Sequence, residues 1–318
     1  MVLRHQVDAF SRWAEERTQQ ISHVAIFHKT AKVTPDELLN RVLPQLKQTL
    51  NGVAIGAGTN ANFVQLNRNP PTSTDLDFLT FAVHPQEHAF DNTTIIENAE
   101  AQRYTAESGK ALAKNRDIRV SPVTIQRRFN ANMENYETPS ESAEYPWAGE
   151  QSYDVSFGAL WTLGSIKNLS ESDTKSITYY ETVGERGIVQ GESPTAWPHR
   201  FKSFPGMVFP VFFLFRYLLG RQDFKVIRST VSDNTIIESL VLKKGAKQEV
   251  IIANFSKNDI KVQLKNLAGH GTIKILNATN FRQAVIDSEW LNKTPNTRIS
   301  LDKPIHLTPV SLNCITIS

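Results

Sequence analysis

Polar side chains that could hold a substrate follow the first strongly apolar run of the chain. Residues 53–58 (VAIGAG) are short, apolar and unbroken, which is typical of a strand buried on both faces of a parallel sheet. Asn60, Asn62, Asn67 and Arg68 come after this run and could bind the oxygens of a ligand. Ligands bind at the carboxyl ends of strands in (β/α) barrels, so we predict all four as substrate contacts. The alternative is that the asparagines only cap turns and helices.

A second apolar run, residues 76–83, ends in the sequence HPQEH. This sequence places His84 and His88 four residues apart, with Glu87 between them. Zinc proteases use HExxH, with the glutamate directly after the first histidine, and this chain has Pro85 at that position. We therefore predict no metal and no cofactor, a catalytic role as general acid for His84, and substrate binding by His88. A metal site and plain loop structure are the alternatives.

Two adjacent arginines, Arg127 and Arg128, follow a third run at residues 118–123. A guanidinium offers fixed, paired donors, so either residue could hold an oxyanion or a product carboxylate. Adjacent residues on a strand face opposite ways, so one of the two is expected to point into the site. We predict a catalytic role for Arg128 and substrate binding by Arg127.

The run SITYYE, residues 176–181, ends in Glu181, which is our first choice for the base that activates water. Partial burial against Tyr179 and Tyr180 would raise the pKa of this carboxyl group towards a useful range. Tyr180 is also predicted to contact the substrate. The alternative for Glu181 is an ion pair with one of the nearby arginines.

Five strand-like runs alternate with helical segments, which indicates a parallel sheet covered by helices. Polar residues recur at the strand ends, and IGAGTNAN lacks the third glycine of a dinucleotide-binding turn, so a barrel is favoured over an open sheet. Thr34, Pro35 and Glu37 predict the capped start of the helix that precedes residue 52.

The number of predicted strands falls short of a complete barrel, which needs eight strands and roughly 250 residues. We interpret the five strands as strands four to eight of a partial (β/α)8 TIM-type barrel, with strands one to three upstream of Met1. Past residue 220 the chain turns to short alternating runs separated by Gly, Asn, Asp and Pro, which predict an antiparallel β-sandwich. The expected domains are residues 1–220, which are catalytic, and residues 221–318. A five-stranded open sheet is the alternative.

Composition excludes several classes of partner. The 35 Lys and Arg residues are interspersed with 32 Asp and Glu residues, and the net charge is only +3, so nucleic-acid binding gains no support. Cys314 is the only cysteine, so no disulfide can form within the chain. The apolar run at residues 207–219 is shorter than the roughly 20 residues of a membrane span. We predict a cytoplasmic enzyme without a membrane partner.

Several phrases of the sequence, in order, resemble the D-apionate lactonase family of branched-pentose catabolism. They are GTNANFVQLNRN, FAVHPQEHAFD, VSPVTIQRRFN, WTLGSIKNLSE, SITYYETVGERGI and FPGMVFP, and they span roughly residues 53–210. The resemblance implies a TIM-type barrel flanked by β-rich domains and a carboxylic ester hydrolase that opens a sugar-acid lactone to its free acid. It also implies missing N-terminal regions, which agrees with the strand count. The implied partners are a small sugar lactone and an upstream segment or partner chain that completes the barrel.

Two other functions remain open at this point. A retaining glycoside hydrolase shares the barrel-plus-sandwich plan and uses two carboxylates about 5 Å apart. Its clan carries them at strands four and seven, and on our numbering those strand ends hold His28 and Ile125. The other function is a non-catalytic carbohydrate-binding module, which the asparagines would serve equally well.

Overall fold

The computed structural model describes residues 2–88, 91–128, 157–195 and 203–317, together with residues 198 and 201. Residues 134–153 are polar and contain Pro139 and Pro146, a composition that predicts a long loop, and they lie outside these ranges. No helix in the described ranges is long and apolar enough to cross a membrane.

A five-stranded parallel sheet forms the first part of the fold, with its strands side by side in chain order. The strands are β1 (His23–Ile26), β2 (Ala54–Asn62), β3 (Phe78–Val83), β4 (Asp117–Val123) and β5 (Ser176–Tyr179). The helices are α1 (Val2–Glu15), α2 (Asp36–Thr49), α3 (Phe63–Arg68), α4 (Asn92–Ala113) and α5 (Phe157–Ser170). This half-barrel confirms the predicted parallel sheet with covering helices. Its numbering as strands four to eight stays a prediction.

The start of α2 differs from the expected capping box. Pro35 is the N-cap residue, and no side chain caps the helix. The Thr34 hydroxyl instead donates to the carbonyl oxygens of Ile26, at 2.6 Å, and Gly58, at 3.1 Å. The predicted cap was therefore wrong, because Thr34 links the end of β1 to the middle of β2. By contrast, α4 begins with a side-chain cap, since Asp91 accepts from the backbone N–H of Thr94.

The second part of the fold is antiparallel. Its strands are β6 (Lys225–Ile227), β7 (Ile237–Lys244), β8 (Lys247–Asn254), β9 (Ile260–Val262), β10 (His270–Leu276), β11 (Thr297–Ser300), β12 (Ile305–Leu307) and β13 (Ser311–Ile317). Six of them form one sheet in the order β11–β10–β13–β8–β7–β6, and β12 pairs with β9 in a separate two-stranded sheet. One apolar cluster joins residues from both sheets. Two short helices, α7 (Phe281–Ala284) and α8 (Trp290–Lys293), lie between β10 and β11.

Two apolar helices connect the parallel and antiparallel parts. Twelve of the fourteen residues of α5 are buried, because this helix packs between α4 and the sheet of β7 and β8. Burial on almost all sides is expected of a helix in such a central position. In α6 (Pro210–Leu219), Val211 packs in the core of the parallel part, whereas Phe213 and Leu214 pack against the antiparallel sheet. The division at residue 220 stays a prediction.

Candidate active site

A small cleft lies at the carboxyl ends of β2, β3 and β4, the edge where a parallel sheet of this type binds ligands. Its walls are Asn60, Ala61, Asn62, Ala82, Val83, His84, Thr124 and Arg128. Four of these residues, Asn60, Asn62, His84 and Arg128, were predicted from the sequence as site residues. The structure thus brings together polar side chains from three consecutive strand ends.

An irregularity in β2 directs both asparagines to the cleft. Five residues of β2, from Gly58 to Asn62, span the same stretch as the three residues from Thr80 to Ala82 on β3. Gly58 adopts φ +155°, and a Cβ atom at this position would lie 2.0 Å from the Thr80 carbonyl oxygen. Only glycine fits here, and the resulting bulge changes the direction in which the following side chains point.

Two threonines hold this bulge in place. The Thr59 hydroxyl donates to the Lys32 carbonyl oxygen at 2.6 Å and accepts from the Ala61 backbone N–H at 3.0 Å. Thr34 contacts the Gly58 carbonyl oxygen through both its backbone N–H and its hydroxyl. The asparagine side chains therefore project from a backbone with fixed hydrogen bonds, as a preorganised site requires.

His84 follows β3 directly, and only 10% of its side chain is exposed. Burial is the main cause that lowers its pKa to about 4, and the positive charges of Arg127 and Arg128 lower it further. The imidazole is consequently neutral at neutral pH. Its Nε2 atom lies 3.4 Å from Oε2 of Glu87, and its buried Nδ1 atom has no hydrogen-bond partner among the described residues.

The positive charges of both predicted arginines, Arg127 and Arg128, lower the pKa of His84, although only Arg128 lines the cleft. They lie in the loop beyond β4, so the strand alternation from which we expected only one to approach the site does not apply to them. Burial and the neighbouring Arg186 lower the pKa of Arg128, whereas the carboxylate of Glu181 raises it.

Glu181 lies outside the cleft walls, and 61% of its side chain is exposed. It pairs with Arg186 at 4.0 Å, and its backbone N–H donates to the Arg186 carbonyl oxygen at 2.9 Å. The expected burial against aromatic rings was wrong, because Tyr180 adopts φ +53° and interrupts the alternation of the strand. The rings of Tyr179 and Tyr180 pack together towards α5, and Glu181 points to solvent.

The hydroxyl of Tyr180 is also directed away from the cleft. It lies 2.6 Å from the Thr162 hydroxyl on α5, and the residue is 8% exposed. Burial raises the pKa of this phenol strongly. Tyr180 therefore packs the sheet against α5, and we do not retain it as a substrate contact.

Three further predicted contacts lie apart from the cleft. Asn67 and Arg68 are exposed in the last turn of α3, whereas Asn60 and Asn62 line the cleft. His88 is exposed in the loop after β3. Residues 84–88 form no helix, so the two histidines do not share a helical face. The described residues contain no cluster of three or more His, Cys, Asp or Glu suited to a metal ion.

Thr124 is a cleft residue that our site prediction omitted. It is the first polar residue after β4, its backbone N–H donates to the Val83 carbonyl oxygen at 3.0 Å, and its hydroxyl donates to the Gln126 carbonyl oxygen at 2.6 Å. Selecting the first polar residue after each predicted strand would have found it.

Comparison with known families identifies the chain at this point. A family model described as the TIM barrel domain of D-apionate lactonase matches residues 2–223, which cover the whole parallel sheet and its cleft. The chain belongs to the D-apionate lactonase family. The strand-end clusters and the sequence phrases around them therefore come from a lactonase barrel, and the resemblance drawn from the sequence is confirmed.

Individual relatives of this lactonase-family chain are distant. The D-apionate lactonase of Brucella anthropi (strain ATCC 49188) is 24% identical over 139 residues, which are 43% of this chain and 23% of that protein. Among solved structures, a conserved exported protein from Bacteroides fragilis gives a TM-score of 0.62 at 11% identity and covers 98% of this chain and 70% of its own. The GH51 alpha-L-arabinofuranosidase from Thermotoga petrophila RKU-1 gives a TM-score of 0.62 at 11% identity, and the match covers 92% of this chain and 66% of that chain.

These comparisons establish two points. The family match assigns this lactonase-family chain to a family of hydrolases. The solved structures, at such low identity, show only that glycoside hydrolases share the fold, because a fold carries many chemistries.

Proposed function

We propose that this chain opens the ring ester of a sugar-acid lactone, of the D-apionate lactone kind, and releases the free acid. The reaction site in this proposal is the cleft between Asn60, His84 and Arg128. One observation carries the assignment, namely a buried, neutral imidazole in a wall that also holds a guanidinium and two amides. The family match supports the reaction class.

His84 replaces Glu181 as the base in this proposal. A base must be unprotonated at the working pH and within reach of the water that it activates. A pKa of about 4 keeps His84 unprotonated at neutral pH. Negative charge that develops on the carbonyl oxygen during attack would raise the affinity of the imidazole for a proton when the transfer occurs. Glu181 is largely exposed, and its carboxylate instead favours the charged form of Arg128.

Donors for the oxyanion come from the other cleft walls. Arg128 offers paired N–H groups with a full positive charge, and the amide groups of Asn60 and Asn62 offer neutral donors. Fixed donors of this type, aimed at the position where charge develops, contribute roughly 3–4 kcal/mol each to lowering the barrier in acyl transfer.

Atoms and charge balance at each step of the proposed lactone hydrolysis without a metal or a redox partner. His84 takes one proton from water, and the water oxygen forms a bond to the lactone carbonyl carbon while the carbonyl electron pair moves onto its oxygen. Collapse of this intermediate restores the carbonyl group and breaks the ring C–O bond. The departing alkoxide oxygen takes the proton back from the imidazolium, which leaves one carboxylic acid and one hydroxyl group.

A glycoside hydrolase gains no specific support from the described residues. That reaction needs two carboxylates facing each other across the substrate. The carboxylates at the described strand ends are Glu87, which pairs with His84, and Glu181, which pairs with Arg186.

A further proposal is that additional strands, from the same polypeptide or from a partner chain, extend the sheet at β1 or β5.

The test is a substrate panel combined with a matched pair of arginine variants. Acid release is measured with a pH indicator on branched and linear aldonolactones, and release of nitrophenol is measured on aryl arabinofuranosides. Arg128→Lys keeps the charge but loses the paired donors, so we expect kcat on the lactone to fall about 10- to 100-fold. Arg68→Lys at the exposed end of α3 is the control, and we expect it to stay within about twofold of wild type.

The outcomes separate the candidate functions. Acid release that Arg128→Lys impairs and Arg68→Lys does not supports the lactonase and this cleft. Cleavage of the aryl glycoside without lactone opening would replace the proposal with a glycosidase. Saturable lactone binding without turnover would replace it with a binding module.

A further inference from the structure

We propose that Glu87 is a positioning residue that holds His84 in the tautomer protonated on Nε2, so that Nδ1 is the acceptor offered to the reacting water. The role of the water rests on the function proposed above. The tautomer itself does not, because it follows from contacts within the protein.

The contact between the two side chains is specific and largely shielded from solvent. Oε2 of Glu87 lies 3.4 Å from Nε2 of His84, and the two side chains are 25% and 10% exposed. The loop that carries Glu87 is itself anchored, since Gln86 is 1% exposed and the Pro85 carbonyl oxygen accepts from Nδ2 of Asn98 on α4 at 3.3 Å. Glu87 therefore approaches the imidazole from a fixed backbone.

The chemistry of the carboxylate selects the tautomer. An ionised carboxylate only accepts hydrogen bonds, and a neutral imidazole carries one N–H and one lone pair. With the proton on Nε2, the positive end of the N–H dipole lies near the negatively charged Oε2 of Glu87, which is attractive. With the proton on Nδ1, the lone pair of Nε2 would face the negatively charged oxygen, which is repulsive. The partner of one ring nitrogen fixes the state of the other.

Nδ1 then carries the lone pair of the ring. It is buried and has no hydrogen-bond partner among the described residues, although His84 lines the cleft. An unpaired acceptor at such a position is costly unless a ligand or water satisfies it. Glu87 would also stabilise the imidazolium that forms after proton transfer, against the opposing charges of Arg127 and Arg128.

The experiment determines the tautomer of His84 directly by long-range ¹H–¹⁵N correlation NMR at pH 7 on the wild-type chain, with the His84 signals assigned from their loss in His84→Gln. The same spectrum is recorded for Glu87→Gln and for Glu97→Gln, which removes an exposed carboxylate of α4 as the matched control. Steady-state kinetics on the best lactone accompany the spectra.

We expect wild type and Glu97→Gln to show Nε2 protonated and Nδ1 unprotonated. In Glu87→Gln, we expect a mixture of tautomers and a fall in kcat of at least about tenfold with KM changed less than threefold, as for other residues that orient a catalytic histidine. A wild-type His84 protonated on Nδ1, or a spectrum unchanged by Glu87→Gln, would overturn the role of Glu87. A correct tautomer in a chain that fails to open any lactone would leave the role intact and overturn only the proposed function.

Discussion

The low pKa of His84 makes a quantitative prediction about how stability depends on pH. The pKa is about 4 in the folded chain, against an ordinary value of 6.5. Below pH 6.5 the unfolded chain therefore binds a proton that the folded chain does not, so the free energy of unfolding falls as the pH falls. The loss begins near pH 6.5 and is complete near pH 4.

The size of the effect follows from the shift. A difference of one pKa unit corresponds to about 1.4 kcal/mol, so the complete loss is about 3 kcal/mol and the part between pH 7 and pH 4.5 is about 2 kcal/mol. The causes of this shift are burial first, and then the positive charges of Arg127 and Arg128. His84→Gln removes the titrating group and should remove this part of the pH dependence.

The assay is urea unfolding followed by circular dichroism at pH 7 and pH 4.5. Carboxylates also titrate in this range, so the informative quantity is the difference between wild type and His84→Gln. We expect wild type to lose about 2 kcal/mol more than the variant. The control, His270→Gln, removes an exposed imidazole at the start of β10 and should keep the full wild-type loss. Equal losses in wild type and His84→Gln would refute the reasoning.

Two further predictions concern the scaffold. Gly58→Ala places a Cβ atom 2.0 Å from the Thr80 carbonyl oxygen, so it should lower the free energy of unfolding by at least about 2 kcal/mol. In the control Gly220→Ala the nearest atom lies at 3.7 Å, and the free energy of unfolding should change by less than about 0.5 kcal/mol. Chemical unfolding measures both variants, and equal effects would contradict the role of Gly58 in the bulge. Lys167→Met leaves the buried carboxylate of Glu238, its partner at 3.1 Å, without a cation, so the free energy of unfolding should fall by about 3–5 kcal/mol. The double variant Lys167→Met/Glu238→Met should recover most of this loss, because no unpaired charge stays buried. A double variant as unstable in chemical unfolding as the single variant would contradict this reasoning.

Local sequence patterns predicted the parallel half of the fold well, because each buried strand is a short apolar run next to a polar strand end. The observed β3 and β4 lie within one or two residues of the predicted runs. The positions of His84 and Arg128 followed, since polar residues in the segments that follow parallel strands share one edge of the sheet.

What the sequence could not predict depends on contacts between distant segments. The bulge in β2 arises from the approach of Gly58 to Thr80, and no local pattern reports that distance. The exposure of Glu181 depends on the left-handed backbone of Tyr180, an unusual conformation for a residue with a side chain. The base role that we gave Glu181 from its position at a strand end therefore passes to His84 in our proposal.

The central claim is that His84, in the cleft at the ends of β2, β3 and β4, activates the water that opens a lactone. The most direct test compares kcat for acid release by His84→Gln and by Asn67→Ala, since Asn67 was also predicted from the sequence as a site residue but lies outside the cleft. We expect His84→Gln to lose at least about 100-fold in kcat, with the folded spectrum retained, and Asn67→Ala to stay within about twofold. A folded His84→Gln variant that hydrolyses the lactone at the wild-type rate would contradict the claim.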